Sequence, residues 1–293
     1  MKQKWNRKRI LRIVGFWVVW VLLILLICDS RLKTVYYTVE SGKITAPVRI
    51  ALITDLHSCR YGKNQKNLIE AVQKQNPDIV LLGGDIFDDK VPHKNAELTV
   101  KQLAEKYPCY YVTGNHEYWS REVGTILNII EGYGVAVLSG ECDTIEVNGQ
   151  TINICGVDDP DVEVYLEEGV PINQQLNSAN EAAKNAEETV GKEIFSVLLS
   201  HRPELFETYQ KYDFDVVLSG HAHGGQWRIP GLLNGLLAPN QGLFPEYAGG
   251  RYDANGTTMI VSRGLAREST PVPRIFNRPE LVIIDIMGEN RGK

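Results

Sequence analysis

The sequence has no internal repeat and no low-complexity tract, so one domain of catalytic size is expected after its N-terminal tenth. Outside the first twelve residues it also lacks an excess of basic charge. The formal net charge is −5, the first twelve residues contribute +6, and the remainder stands at −11. An acidic body offers no basic face, so no nucleic-acid partner is expected. Cysteine is scarce: five residues, an odd number, at spacings that form no recognisable disulfide framework. The redox state of Cys59, Cys109, Cys142 and Cys155 stays open at this level, with free thiols favoured.

What is present starts with "IVGFWVVWVLLILLIC", an uninterrupted apolar run from Ile13 to Cys28. A helix needs roughly 20 residues to cross the hydrocarbon core. Residues 10–28 come close if the stem of Arg12 snorkels to the headgroups. The run has no polar face, which argues against a buried core helix. Lys2, Lys4, Arg7, Lys8, Arg9 and Arg12 precede it with no acid among them. That basic flank stays cytoplasmic, so the rest of the chain is expected outside the cytoplasmic membrane. No small-x-small cleavage site follows the run. Ile27 stands where a lipoprotein needs a small residue before its cysteine, and Lys8 splits Arg7 from Arg9, unlike a twin-arginine signal. The expected organisation is a basic cytoplasmic tail over 1–12, a transmembrane signal anchor over 13–28, a linker and lead-in strand over 29–47, and a folded domain over 48–287.

Within that domain, short apolar runs alternate with helical patterns. "VRIALIT", "DIVLLGG" and "CYYVTG" have strand length and composition. "NQKNLIEAVQKQ" carries Leu68, Ile69 and Val72 at helical spacing, with Asn64 as the expected cap; "NAELTVKQLAEK" and "REVGTILNIIEGYG" complete the series. This β-α alternation predicts a mostly parallel sheet covered by helices. After residue 135, further strands follow, with "NGQ" at 148–150 as a hairpin turn. In the acidic stretch 158–193, Ser178 and Glu181 are spaced as a capping box for a short exposed helix. The predicted fold class is α/β, two facing mixed sheets with helices outside.

The strands end in residues that bind metals: Asp55 and His57 in "ITDLH", Asp85 in "LGGDIF", Asn115 and His116 in "VTGNHE", His201 in "LLSHRPE", and His221 and His223 in "LSGHAHGG". In α/β folds, ligands bind beyond the carboxyl ends of strands. Any one of these residues alone reads as a turn former or a packed histidine, and His93 in "VPHKN" keeps that reading. Together, following apolar runs that do not tolerate lone charges, they call for cations.

This set, D-x-H, G-D, G-N-H-E, a histidine after a strand and G-H-x-H, resembles the calcineurin-like metallophosphoesterase superfamily. The likeness covers most of 48–287. The segments "GVDDP", "LSHRPELF", "APNQGLFPEY" and "PRIFNRPEL" are similar to its membrane-associated bacterial branch, apart from Ala222, where the branch often has Thr. The resemblance implies a four-layer sandwich with a first metal held by Asp55, His57, Asp85 and His223. A second would share Asp85 and add Asn115, His201 and His221. Mixed N/O ligation suits manganese, iron or zinc. In such sites, metals roughly 3.5–4 Å apart acidify a bridging water and clamp an in-line displacement at phosphorus. His116 would act as the general acid. Arg60, Arg267 and Arg274 are candidate phosphate contacts.

Beyond the histidine pair, "WRIPGLLNGLLAPNQGLFPEY" is apolar and broken by Gly and Pro. It reads either as a lid over the core or as a surface laid against the bilayer, which would suit a lipid-linked phosphate. The leading expectation is a membrane-anchored phosphodiesterase acting on a phosphate ester. The alternatives are a pyrophosphatase of a nucleotide-linked glycolipid and a non-catalytic, metal-stabilised scaffold. Oligomeric state is not legible.

Overall fold

The computed structural model describes residues 7–267 and 272–289. Helix α1 (Arg7–Ile27) runs through the apolar stretch, and none of its residues is buried. Its described residues include Arg7, Lys8 and Arg9 ahead of Ile13, all good helix formers.

Five of the six strands of one sheet follow: β1 (Lys33–Ser41), β2 (Val48–Ile53), β3 (Ile79–Gly83), β4 (Cys109–Val112) and β5 (Ala136–Val137). Between them lie α2 (Lys66–Gln73), α3 (Lys94–Ala104), α4 (Asn115–Trp119) and α5 (Val123–Gly132). The second sheet starts with β6 (Glu141–Val147) and β7 (Gln150–Gly156). After α6 (Val162–Tyr165) and α7 (Ile172–Val190) come β8 (Phe195–Leu199), α8 (Phe206–Tyr209) and β9 (Val216–Ser219). A small hairpin, β10 (Leu237–Ala238) with β11 (Gly242–Leu243), precedes β12 (Gly250–Ala254) and β13 (Thr257–Val261); β14 (Glu280–Gly288) returns to the first sheet. The strand orders are β1-β14-β2-β3-β4-β5 and β12-β13-β9-β8-β7-β6. The centre of each sheet is parallel, β2 to β5 in one and β7, β8, β9 and β13 in the other, as βαβ crossovers require.

The pleat divides the core into layers. Ile50 and Leu52 of β2 face the second sheet, packing in a cluster with Val197, Leu199, Val216 and Leu218. Their neighbours Ala51 and Ile53 face outward onto Leu68, Val72, Val100, Leu103, Ile126 and Ile130 of the flanking helices. On the far side, α7 lays Leu176, Ala179 and Ala183 on the second sheet. The result is two facing mixed sheets between helical layers, the predicted fold class. The hairpin turn also holds, with φ of 50° at Asn148 and 75° at Gly149, the left-handed pair that a two-residue hairpin needs.

Three local expectations are corrected. Asn64 does not cap α2: it sits at φ 53° in a 3₁₀ turn, and buried Gln65 ties that turn down by accepting from the Tyr61 N–H and donating to the Cys59 carbonyl. Ser178 lies inside α7 and donates to the Gln174 carbonyl, because the helix already starts at Ile172 behind Pro171. Cys142 and Cys155 form a disulfide between directly paired positions of β6 and β7, whereas Cys59 and Cys109 are buried thiols outside any disulfide. The register of the hairpin, not the cysteine spacing, creates that bond.

Candidate metal centre

Asp55, His57, Asp85, Asn115, His201, His221 and His223 are all buried, and they meet above the carboxyl ends of β2, β3, β4, β8 and β9. Asp55, His57, Asp85 and His223 each offer a ligand atom within 4.8 Å of the others, Asp85, His201 and His221 form a second such group, and His57, Asp88 and His116 a third. Asp85 is common to the first two. Its Oδ2 lies 3.2 Å from His201 Nε2 and 3.5 Å from His57 Nε2.

Backbone geometry makes this convergence possible. Asp55, His57, Asp85, His221 and His223 occupy the left-handed region, at φ between 46° and 65°. Such conformations cost of order 1–3 kcal/mol each in non-glycine residues and persist where the surroundings over-determine them. Here the loops lock one another. The His57 N–H donates to the Asp85 carbonyl at 2.9 Å, the Asp55 N–H to the Gly84 carbonyl at 3.0 Å, and the His221 N–H to Asp55 Oδ1 at 2.9 Å. Gly114 is required by space, since a Cβ there would collide with the Asp85 carboxylate.

Several candidate ligand atoms are orphaned. Asp55 Oδ2, His57 Nε2, Asp85 Oδ2, Asn115 Oδ1 and His223 Nδ1 are buried without a hydrogen-bond partner. Leaving buried polar atoms unmade is costly, and so many in one place fits a set of cation ligands. The opposite nitrogens are occupied: His57 Nδ1 pairs with Asp88 at 2.9 Å, and His201 Nδ1 donates to the Gly83 carbonyl at 2.8 Å. Such partners fix which ring nitrogen faces a metal.

The charges agree. Burial opposes the ionised form of Asp85, but His201, His57 and His116 outweigh it and hold the carboxyl well below its usual range. Burial keeps Asp55 high, although His201 pulls the other way. Burial also disfavours charge on His201, yet Asp85 and Asp55 push it up to about 10. Burial, with His201 and Arg202 beside it, holds His221 well below the normal imidazole range; His223 is held down by burial, His57 and Arg274. The Asp85 carboxylate thus favours positive charge beside it, while His221 and His223 are kept as neutral imidazoles.

His116 heads α4 next to Asn115. Its Nδ1 meets Asp89 at 2.7 Å, and its ring stands edge-on to His57 with centroids 4.3 Å apart. Arg274 is buried, donates to the Ala266 and Arg263 carbonyls, and leaves Nη2 without a partner. Arg60 is exposed and donates to the Gly62 carbonyl, outside the buried cluster. The Arg267 guanidinium lies over the Tyr61 ring, 4.3 Å from its centroid. Cys59 Sγ accepts from the Arg267 N–H, and burial pushes the Cys109 thiol up to about 12. His93, expected to be an ordinary packed residue, places Nε2 3.0 Å from the Asp88 carbonyl.

Sequence reasoning missed the residues that hold the site. Glu117 is buried and accepts from the N–H groups of Asp85, Phe87 and Gly114 and from the Tyr111 hydroxyl, bracing the Asp85 loop. Asn240 Oδ1 lies 2.9 Å from His221 Nε2. Arg202 grips Asp159 through two nitrogens, and its Nη1 lies 3.3 Å from His221 Nε2. "GNHE", "GVDDP" and "SHRPE" contain three of these, but no spacing assigns their partners.

Arg202 and Asp159 are both buried, so Arg202→Met leaves an unpaired carboxylate in the interior. The expected cost is about 3–5 kcal/mol in denaturant unfolding. Adding Asp159→Asn should recover part of it.

A model of the calcineurin-like phosphoesterase family matches residues 48–225. An uncharacterized metallophosphoesterase of Aquifex aeolicus is 30% identical over 281 residues, covering 91% of this chain and 98% of its own length. A Danio rerio transmembrane protein with a metallophosphoesterase domain is 27% identical over 81% of this chain, which spans 52% of that relative. The 5'-nucleotidase precursor of Thermus thermophilus shares the fold, with a TM-score of 0.53 at 16% identity over 76% of this chain and 50% of its own. The family match spans the loops that bring the buried Asp and His residues together, a cluster compatible with a dinuclear metal site. The chain belongs to the calcineurin-like phosphoesterase family, hydrolases of phosphoric esters.

Proposed function

We propose that the protein is a membrane-anchored phosphodiesterase with its catalytic domain outside the cytoplasmic membrane. The observation that carries the reading is the cluster of buried ligand atoms without partners, with His116 at its edge. Asp55, His57, Asp85 and His223 would hold one metal, and Asp85, Asn115, His201 and His221 the other. When bound, such a pair supplies an activated water and neutralises charge on the phosphate oxygens. Manganese, iron or zinc suits this donor set.

The remaining roles fall to the chain itself. Because a carboxylate only accepts, Asp89 holds a proton on His116 Nδ1, so the imidazolium form gives its Nε2 proton to the departing oxygen and is left as the neutral Nδ1–H tautomer. Arg274 Nη2, buried and unpartnered, is the group we assign to a phosphate oxygen. The preference for diesters follows from charge. Beside His116 lies a cavity of about 330 Å³ whose lining includes Asp88, Asp89, Lys90, His93 and Glu122. Its three carboxylates outnumber its single lysine, which is paired with Asp89 at 3.5 Å, and that excess of negative charge disfavours a dianionic monoester more than a monoanionic diester.

Membrane anchoring is supported by α1, whose 21 residues rise about 31 Å with nothing buried. The Cys142–Cys155 disulfide suits an oxidising compartment, in line with a cytoplasmic N-terminus and an external domain.

The test uses the full chain in detergent, loaded with Mn²⁺, on bis(para-nitrophenyl) phosphate and para-nitrophenyl phosphate. The diester should be turned over faster. A preference for the monoester overturns the diesterase reading. Turnover of neither, with metal bound, overturns catalysis on simple esters and leaves a selective pyrophosphatase or a scaffold.

A further inference from the structure

The segment between the histidine pair and β12 keeps much of its apolar content outside the core. Trp227, Ile229, Leu232, Leu237, Leu243 and Phe244 are all exposed, Leu232 to 82% and Phe244 to 67%. Leu237 and Leu243 pair directly across the β10–β11 hairpin, and the Phe244 N–H donates to the Leu236 carbonyl, so these side chains ride on an ordered element. A lid closing over the core would bury them; this one does not. Patches of this kind mark a partner or a membrane.

The chain itself indicates which. Trp227 bridges to Ile275, and its indole N–H donates to the Pro273 carbonyl. One residue further on, the Phe276 N–H donates to the carbonyl of Ile27, the last residue of α1. Arg278 continues the junction, pairing with Asp29 and donating to the Arg31 and Leu32 carbonyls. The apolar segment is therefore stitched to the end of the apolar helix. If α1 crosses the bilayer, this segment stands where the helix leaves it. Tryptophan is at home at that depth.

We infer that the face formed by Trp227, Ile229, Leu232, Leu237, Leu243 and Phe244 is seated in the headgroup–acyl boundary of the bilayer that carries α1. The same hairpin places Asn240 between its strands, with Oδ1 on His221 Nε2 at 2.9 Å. One element thus touches the membrane on one side and the candidate metal centre on the other. The substrate class that follows is a phosphate ester carried on a lipid headgroup. This rests on the membrane-anchored reading above and not on the preference for diesters.

The experiment places the full chain in phosphatidylglycerol–phosphatidylcholine vesicles, with or without bromine on the acyl chains. The Trp227 signal is the difference between the fluorescence of the wild type and of Trp227→Phe. Brominated lipid should quench that signal about twofold or more, with aqueous acrylamide having little effect, as for an apolar face seated in the boundary. Leu232→Asp combined with Phe244→Asp should reverse this pattern while turnover of soluble bis(para-nitrophenyl) phosphate persists. A signal quenched by acrylamide and not by bromine overturns the inference and leaves the face to a second copy or another protein. Failure of the chain to float with vesicles overturns the anchored reading as well. Absence of diesterase activity alone leaves the quenching result untouched.

Discussion

His116→Gln should lower kcat by ~10²–10⁴-fold, the contribution of a positioned general acid. Occupancy of the two proposed metal sites should not change, because their orphaned atoms belong to other residues, whereas a metal held by His57, Asp88 and His116 would be lost. The readout that separates acid catalysis from a structural role is the leaving group. A nitrophenolate departs without a proton, whereas an alkoxide needs one, so the loss should be far larger for alkyl than for nitrophenyl esters. Geometry supports the split: the His116 side chain is 20% exposed, its Nδ1 is held by Asp89 at 2.7 Å, and Asp88 stands 3.7 Å away. An equal loss for both ester classes, accompanied by loss of metal from the two proposed sites, would make His116 a structural neighbour of Asn115 and nothing more.

Asp85→Asn should bring turnover to background and reduce the bound metal measured by atomic emission. The substitution preserves shape and removes charge at the one carboxylate common to the group that contains His201 and the group that contains His223. Its Oδ1 accepts the His116 N–H at 2.9 Å, a bond an amide oxygen can keep, while Oδ2 has no hydrogen-bond partner and faces His201. Asparagine would aim either a neutral oxygen or an N–H donor into that space, and neither bridges two cations. Chelation should lower the melting temperature of the wild type, because metal binding is coupled to the folded state. The variant should lose that sensitivity. Full metal content with normal turnover in Asp85→Asn would refute the dinuclear reading of the cluster.

Metal removal and mutation probe the part of the site that was legible in the chain. Each candidate ligand stands directly after an apolar run of strand length, so strand ends and candidate ligands could be read together from local pattern. The central strands are buried on both faces and nearly free of polar residues, which makes their ends conspicuous. The supporting residues were not legible. Asp88 and Asp89 follow Asp85 in "GDIFDD", and nothing in that run says that one will meet His57 and the other His116. Arg202 and Asp159 lie 43 positions apart, and His221 reaches Asp55 across 166.

The same division runs through the rest of the molecule. Composition and periodicity by themselves determined the apolar N-terminal helix, the two-sheet α/β class, the tight turn at Asn148-Gly149 and the Asp, Asn and His residues that stand at strand ends, because each is read from local pattern along the chain. Tertiary structure alone decided that Cys142 meets Cys155, that Ser178 lies inside a long helix, that Glu117 braces the Asp85 loop, and that the segment after the histidine pair leaves its leucines outside. Those outcomes depend on register between strands and on which loops share space above the sheets. Such pairings arise only when distant segments pack, and a linear pattern carries no record of them.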